Sequence, residues 1–205
     1  MSNISTQSKS TQSGDTDRHD SDDRRLVQAA LAGEKHAFGD LVERYQDRIF
    51  NTLMRMLGSR DDALDLTQDA FARAFVKLES FRGDAKFYTW LYRIAINLAL
   101  SHRRRRAAES LDVVKQNIGQ EPVSQQPTAA QDLIDRERAE QLQHALLQLS
   151  DEHRQILVLR EFEGCNYQTI GEILEMPVGT VRSRLFRARL QLKEQLNEIM
   201  PEESC

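Results

Sequence analysis

Proline is nearly missing from this chain, with 4 in 205 residues, and glycine is sparse at 9. Both break helices, so their scarcity beside abundant Leu, Ala, Arg, Glu and Gln favours helix over strand. Cysteine is limited to Cys165 and Cys205. A disulfide framework needs more cysteines at telling spacings, so a reducing compartment is expected. No run approaches the ~18 apolar residues of a membrane span. Met1 to Asp23 holds no apolar stretch at all, which speaks against a signal peptide. The expectation is a soluble, cytoplasmic protein without membrane insertion.

Catalytic signatures are also missing. None of the five histidines has zinc-protease or zinc-finger spacing. There is no glycine loop to cradle phosphate and no serine nucleophile elbow. No enzyme, no metal and no cofactor are expected. The net charge of −4 argues against a uniformly basic coat for nucleic acid, so the distribution of charge matters more.

With 40% hydrophobic and 29% charged residues, the chain can bury a core. Its length allows one domain or two small ones. Residues 1–23 read as a disordered acidic tail, with Asp15, Asp17, Asp20, Asp22 and Asp23 against Lys9 and Arg18. Helical periodicity starts near Asp23. Leu26, Ala29, Ala30, Phe38, Leu41, Val42, Tyr45 and Ile49 recur at three- and four-residue steps. Gly33 separates the first helix from the second, and Gly58 fits the end of the second after Leu57. Ser59 is placed to cap a third helix with an acidic first turn, Asp61 and Asp62. Leu64, Phe71, Ala74, Phe75 and Leu78 read as its apolar face. The loop Arg82 to Lys86 leads to a fourth helix, Phe87 to Arg106.

Residues 107–131 lose periodicity and gain Gln, Pro and Gly, as a flexible linker does. Beyond it, Leu142, Ala145, Leu146 and Leu149 line one helix, and Ser150 caps the next. Asn166 caps a short helix, Tyr167 to Leu174, and Glu175-Met176-Pro177 turns into a last helix, Val178 to Ile199. The reading is all-α. Two small helical domains, 24–106 and 132–200, are joined by the linker, and the second is a four-helix domain ending in a helix-turn-helix.

Three constellations stand out. From Pro177 to Lys193 there are Arg182, Arg184, Arg187, Arg189 and Lys193 with no acid, and Ile170, Ile173, Val181 and Leu185 are spaced to pack the last two helices together. Arginine can grip a guanine edge with two parallel hydrogen bonds. A solvated basic face is the plainer alternative. From Tyr88 to Arg106 there is again no acid, and Arg93 and Arg103-Arg104-Arg105-Arg106 are mixed with Thr89, Trp90, Tyr92 and Asn97. That mixture suits a single strand of nucleic acid. Trp90 and Tyr92 equally suit a core, and the Arg run equally suits a solvated helix end. Asp61, Asp65 and Asp69 step by four along the third helix beside Gln68, with Phe71 near the edge. They suit either a basic partner or plain solvation. They lack the oxygen-rich glycine loop that calcium needs.

The order of these features identifies the resemblance. Asp61-Asp62-Ala63-Leu64-Asp65-Leu66-Thr67-Gln68-Asp69-Ala70-Phe71 resembles the core-polymerase-binding helix of sigma factors. Phe81-Arg82-Gly83-Asp84 with Phe87-Tyr88-Thr89-Trp90-Leu91-Tyr92-Arg93-Ile94-Ala95-Ile96-Asn97 resembles the promoter-melting segment of the extracytoplasmic-function group, the sigma-E type. Pro177-Val178-Gly179-Thr180-Val181-Arg182-Ser183-Arg184-Leu185-Phe186-Arg187-Ala188-Arg189 is similar to that group's recognition helix.

The resemblance implies an alternative sigma factor that carries core RNA polymerase to promoters. Asp65, Gln68, Asp69 and Phe71 would dock on the beta-prime clamp helices. Arg82, Gly83, Asp84, Lys86, Thr89, Trp90, Arg93 and Asn97 would hold the minus-ten element. Thr180, Arg182, Ser183, Phe186, Arg187 and Arg189 would read the minus-thirty-five element, with the second domain on the beta flap. It also implies an anti-sigma factor as a partner and a monomer when free. Two departures are visible: Gly171 replaces the family's usual Ala, and Glu175 replaces a Gly. A stand-alone DNA-binding regulator explains the helix-turn-helix but neither the acid-free fourth helix nor the acidic face. A helical enzyme is more distant still. Whether Cys165 senses redox state stays open at this level.

Overall fold

The computed structural model describes the backbone of residues 12–112 and 130–199, and the side chains of 21–109 and 136–199. The first part of the expected tail, residues 1–11, and most of the expected linker, 113–129, lie outside the described residues. Among the described residues eight α-helices follow in order: α1 Gln12–Leu31, α2 Lys35–Leu57, α3 Arg60–Val76, α4 Phe87–Asp112, α5 Ala130–Gln148, α6 Asp151–Leu157, α7 Tyr167–Leu174 and α8 Val178–Ile199. A 3₁₀ turn, Leu78–Ser80, follows α3, and α6 runs on as a π-helical turn, Val158–Phe162. Among the described residues there is no strand, and no helix is long and apolar enough to cross a membrane.

In the first domain α2 lies at the centre. Phe38, Leu41, Tyr45, Ile49, Leu53 and Met56 form one buried stripe at helical spacing. α1, α3 and α4 pack around it, with α4 burying Leu91, Tyr92, Ala95 and Ile96. Gly58 ends α2 at φ +74, where its N–H reaches Met54 O at 2.8 Å. Ser59 Oγ then accepts from the Asp62 N–H at 3.3 Å and starts α3.

The tail expectation needs correction at its C-terminal end. Helix α1 begins at Gln12, eleven residues before Asp23, and Asp23 is buried rather than solvated. The physical reason is Tyr45. Its hydroxyl is buried under α1 and needs an acceptor, and Asp23 accepts from it and from Arg44 Nη1. Burial, together with Asp23, raises the Tyr45 pKa. The fourth helix also runs on past Arg106 to Asp112.

The second domain has the helix starts read from the sequence. Ser150 Oγ accepts from His153 N–H at 3.4 Å, and Asn166 Oδ1 from Thr169 N–H at 2.9 Å. Ile170, Ile173, Val181 and Leu185 are buried between α7 and α8. The unforeseen element is the π turn, which ends with Glu163 N–H on Val158 O at 3.1 Å. Such turns are rare and concentrate at functional places.

Arg154, wholly buried, joins the two domains. Its guanidinium donates to Leu146 O at 2.7 Å, Leu147 O at 2.6 Å, Leu149 O at 2.7 Å and Met56 O at 2.9 Å. These carbonyls lie at the ends of α5 and α2, where a helix leaves its acceptors without internal donors. The closeness of the ends gives Gly58 a second role, because a Cβ there would stand 2.5 Å from Leu147 Cδ1.

The two departures in the helix-turn-helix compensate each other. Glu175 takes the left-handed conformation at φ +54, the one non-glycine to do so among the described residues. The turn then folds back so that Met176 N–H reaches Gly171 O at 2.9 Å, and a Cβ on Gly171 would lie 2.8 Å from Met176 O. Helix propensity alone favours Gly171→Ala by about 1 kcal/mol. Overpacking against fixed backbone costs about 1–3 kcal/mol. The expected outcome is a lower melting temperature for Gly171→Ala; a higher one would mean that the turn relaxes freely.

Candidate nucleic-acid interface

Helix α8 buries Val181, Leu185 and Ala188, and so turns the remaining positions outward. Arg182, Ser183, Phe186, Arg187 and Arg189 are exposed, Thr180 is half-buried, and Phe186 is 64% accessible, high for an aromatic ring. The five exposed groups are not equivalent. Arg189 is held by Glu161 at 2.6 and 2.9 Å. The neighbouring Arg184 is paired with Glu152 at 3.1 Å. Arg182 lies over the Tyr167 ring, 5.9 Å from its centroid, and Ser183 Oγ donates to Thr180 O at 3.1 Å. Arg187 has no hydrogen bond or ion pair among the described residues. A run that carries no acid in sequence thus has two of its five charges met by acids, Glu152 of α6 and Glu161 of the π turn. Arg182, Phe186 and Arg187 remain open to a ligand.

The minus-ten residues do not form one surface. Arg82 and Asp84 are exposed on the loop, Gly83 lies at φ +76, and Lys86 is half-buried. Asn97 is exposed on α4. Thr89 is buried in the core, so it supports the helix and cannot meet a base from there. Trp90 is half-buried and packs on Phe81 and Phe87, with ring centroids 5.1 and 5.9 Å away. Arg93 is engaged by the other domain, donating to Glu172 O at 2.5 Å and pairing with Glu175 at 3.1 Å. Tyr92 is a core residue. The arginine run is partly structural: Arg103 pairs with Asp151 at 3.0 Å and Arg106 with Asp62 at 2.7 Å.

The outward face of α3 carries Asp61, Asp65, Gln68 and Asp69, all exposed. Phe71 is only 6% accessible and belongs to the core, which corrects its placing at a docking edge. The helix turns Leu64, Phe75 and Val76 outward instead, the last two 51% and 81% accessible. The apolar identity of Leu64 and Phe75 suggests core, yet both are exposed, on the arc beside the aspartates. The face is therefore mixed, with acids beside exposed apolar groups; Phe75 also meets the Phe38 ring, centroids 5.0 Å apart, and among the described residues no ion pair is seen at Asp61, Asp65 or Asp69.

Cys165 is buried, and its thiol is pushed up to about 12 by burial first and by the Glu163 carboxylate second. Burial of this kind suits a structural thiol rather than a redox-poised one. No cluster of His, Cys, Asp and Glu among the described residues is placed to hold a metal.

Comparison with known proteins adds the family. Residues 41–109 match Sigma-70 region 2, and residues 139–192 match Sigma-70, region 4. The chain is 38% identical over 187 residues to the RNA polymerase sigma-H factor of Pseudomonas aeruginosa, covering 88% of this chain and 96% of that one. It is 35% identical to the ECF RNA polymerase sigma-E factor of Haemophilus influenzae (87% and 97% covered) and 37% identical to that of Escherichia coli K12 (82% and 90%). Among solved structures it is similar to CnrH in complex with the cytosolic domain of CnrY, with 26% identity, TM-score 0.66, and 86% and 98% of the chains covered. It is also similar to the sigma factor RpoE of Bartonella quintana in complex with the anti-sigma factor NepR, with 26% identity, TM-score 0.64, and 78% and 96% covered. An all-helical pair of domains, a basic helix-turn-helix and these relatives along nearly their whole length lead to one conclusion: the chain belongs to the ECF group of RNA polymerase sigma factors, the alternative sigma factors that direct transcription initiation.

Proposed function

We propose that the mixed face of α3 is the docking surface for core polymerase, and that the protein acts without catalysis, in the cytoplasm, as a monomer when free. The observation that carries this is the cluster of Asp61, Asp65 and Asp69, unpaired among the described residues, beside exposed Leu64, Phe75 and Val76. The resemblance gives the partner as the beta-prime clamp helices. Interface cores favour exposed apolar groups, and the surrounding acids steer a basic partner and set its register. Asp65, Gln68 and Asp69 keep the docking role, and Phe75 takes the aromatic position first given to Phe71.

Minus-ten recognition falls to Arg82, Gly83, Asp84, Lys86, Trp90 and Asn97, with Arg93 added once it is released from the second domain. The half-buried Trp90 offers an aromatic edge for a flipped base, whose extrusion costs a few kcal/mol. Minus-thirty-five recognition falls to Arg182, Ser183, Phe186 and Arg187 in the major groove, with Thr180 at the helix start. Arg189, tied to Glu161, contributes to phosphate contact or to none. Since the similar sigma factor RpoE was solved in complex with the anti-sigma factor NepR, an anti-sigma factor is the proposed inhibitor here.

Two measurements test these roles. Asp65→Lys and Asp69→Lys should each weaken retention on core polymerase at least tenfold, which is about 1.4 kcal/mol. The circular dichroism spectrum should not change, since both sites are exposed. Full retention by both variants would remove the docking role from α3. In the second, Arg187→Ala should lower discrimination for minus-thirty-five DNA by roughly 1–3 kcal/mol, the worth of one bidentate base contact. Arg189→Ala should leave discrimination nearly intact. Equal losses over all DNA sequences for Arg187→Ala would make it a phosphate contact.

A further inference from the structure

We propose that Tyr167, the first residue of α7, is a positioning residue for base reading: its ring holds the Arg182 guanidinium in place for the major groove. The inference rests on the reading of Arg182 as a minus-thirty-five contact, which the experiment below checks separately.

The exposed arginines of α8 and their neighbours are held in different ways. Arg184 and Arg189 are paired with the carboxylates of Glu152 and Glu161. A carboxylate fixes a guanidinium, but it takes up N–H donors and offsets the charge that would attract DNA. Arg187 has neither hydrogen bond nor ion pair among the described residues, so its side chain gives up its rotamer freedom only on binding. Arg182 lies over an aromatic ring instead, 5.9 Å from the Tyr167 centroid. A ring attracts a cation through its π electrons without neutralising it. The ring face also holds no oxygen or nitrogen to use up the N–H donors. They stay available for two parallel bonds to a guanine edge.

The ring is itself fixed. Arg160 of the π turn also lies over it, 5.1 Å from the centroid, while Arg160 Nη1 donates to Cys165 O at 2.8 Å. That bond ties Arg160 to the loop leading into α7. Asn166 then caps α7 by accepting from the Thr169 N–H at 2.9 Å, so the backbone on the approach to Tyr167 is pinned. Tyr167 is half-buried and Arg182 exposed, which places a supported ring beneath a solvent-facing cation. Ile170, Ile173, Val181 and Leu185 are buried behind them and lock α7 against α8. A contact carried by rigid elements and backed by a second set of bonds keeps its working geometry.

The consequence is base discrimination. A guanidinium that is already ordered loses less freedom when it meets the right base, and it gains nothing from a wrong one. Phosphate contacts carry no sequence information, so a group acting on them changes binding equally for all sequences. A cation held over a ring at an exposed site corresponds to about a two- to fivefold effect.

The experiment uses the full-length protein assembled with core polymerase. It is offered a pool of promoter duplexes randomised across both elements, and the bound duplexes are sequenced. Wild type is compared with Arg182→Ala, Tyr167→Leu, Tyr167→Phe and the double variant Tyr167→Leu/Arg182→Ala. Arg182→Ala marks the position that Arg182 reads, as the one whose base preference flattens. Tyr167→Leu should flatten the same position about two- to fivefold and spare the others. Tyr167→Phe keeps the ring and should keep the wild-type preference. The double variant should match Arg182→Ala, because Tyr167 acts through Arg182. Should Tyr167→Leu lose helical circular dichroism, Tyr167→Gln takes its place. If Arg182→Ala flattens no position, Arg182 is not a base reader, and both that reading and the proposal fall. If Arg182→Ala flattens one position and the ring-less variants keep the wild-type profile, the positioning role alone is overturned. Equally weaker binding to every sequence in Tyr167→Phe and Tyr167→Leu would overturn it too, by making the hydroxyl a phosphate contact.

Discussion

Helices end with carbonyl oxygens that have no donor, and in this protein two such ends, those of α2 and α5, meet away from water. The guanidinium of Arg154 answers that constraint with four carbonyl bonds, three from its own domain and one from the other. Arginine suits the place because it keeps its charge when buried and presents donors in a planar fork. Losing one partner of a buried charged group costs about 3–5 kcal/mol, so the position tolerates little change. From this point the layout follows. The ends of α2 and α5 converge, Gly58 has to lack a side chain against Leu147, and the π turn brings Glu163 to Thr52 and Tyr92.

Much of this was legible in the sequence where local chemistry decides. Ser59, Ser150 and Asn166 mark helix starts because a side-chain oxygen beside free N–H groups acts within one turn. Gly58 marks an end for the same local reason, and Ile170, Ile173, Val181 and Leu185 show their pairing through spacing alone. What escaped depends on distant partners. Asp23 looked like part of an acidic tail, since nothing nearby in sequence reveals the Tyr45 hydroxyl above it. Glu163 and Arg154 carry no local signal for burial. The π turn adds a residue that hydrophobic periodicity cannot register.

The candidate sites divide in the same way. Exposed Asp65, Gln68, Asp69 and Arg187 follow from the face opposite a buried stripe. Phe71 and Phe75 are both aromatic and four residues apart, yet the first is core and the second surface. Only the positions of α2 and α4 around α3 decide between them. Arg189 and Arg93 looked like free cations because the acids and carbonyl that meet them, Glu161, Glu175 and the Glu172 oxygen, belong to other helices. Charge in this protein is arranged in three dimensions. Arg182 and Arg187 stay exposed on α8 and Arg104 and Arg105 on α4, while Asp61, Asp65 and Asp69 stay exposed on α3.

Two small basic surfaces on separate domains neutralise few phosphates each, so alone they bind weakly and with strong salt dependence. Fixing both on one platform makes the second contact effectively intramolecular. Promoter opening should therefore require polymerase. Permanganate footprinting of unpaired thymines, on a promoter with and without core polymerase, measures this most directly. The account predicts no reactive thymines with the protein alone and a reactive minus-ten segment once core polymerase is added. Tight, specific duplex binding by the protein alone, with no opening on adding polymerase, would contradict it.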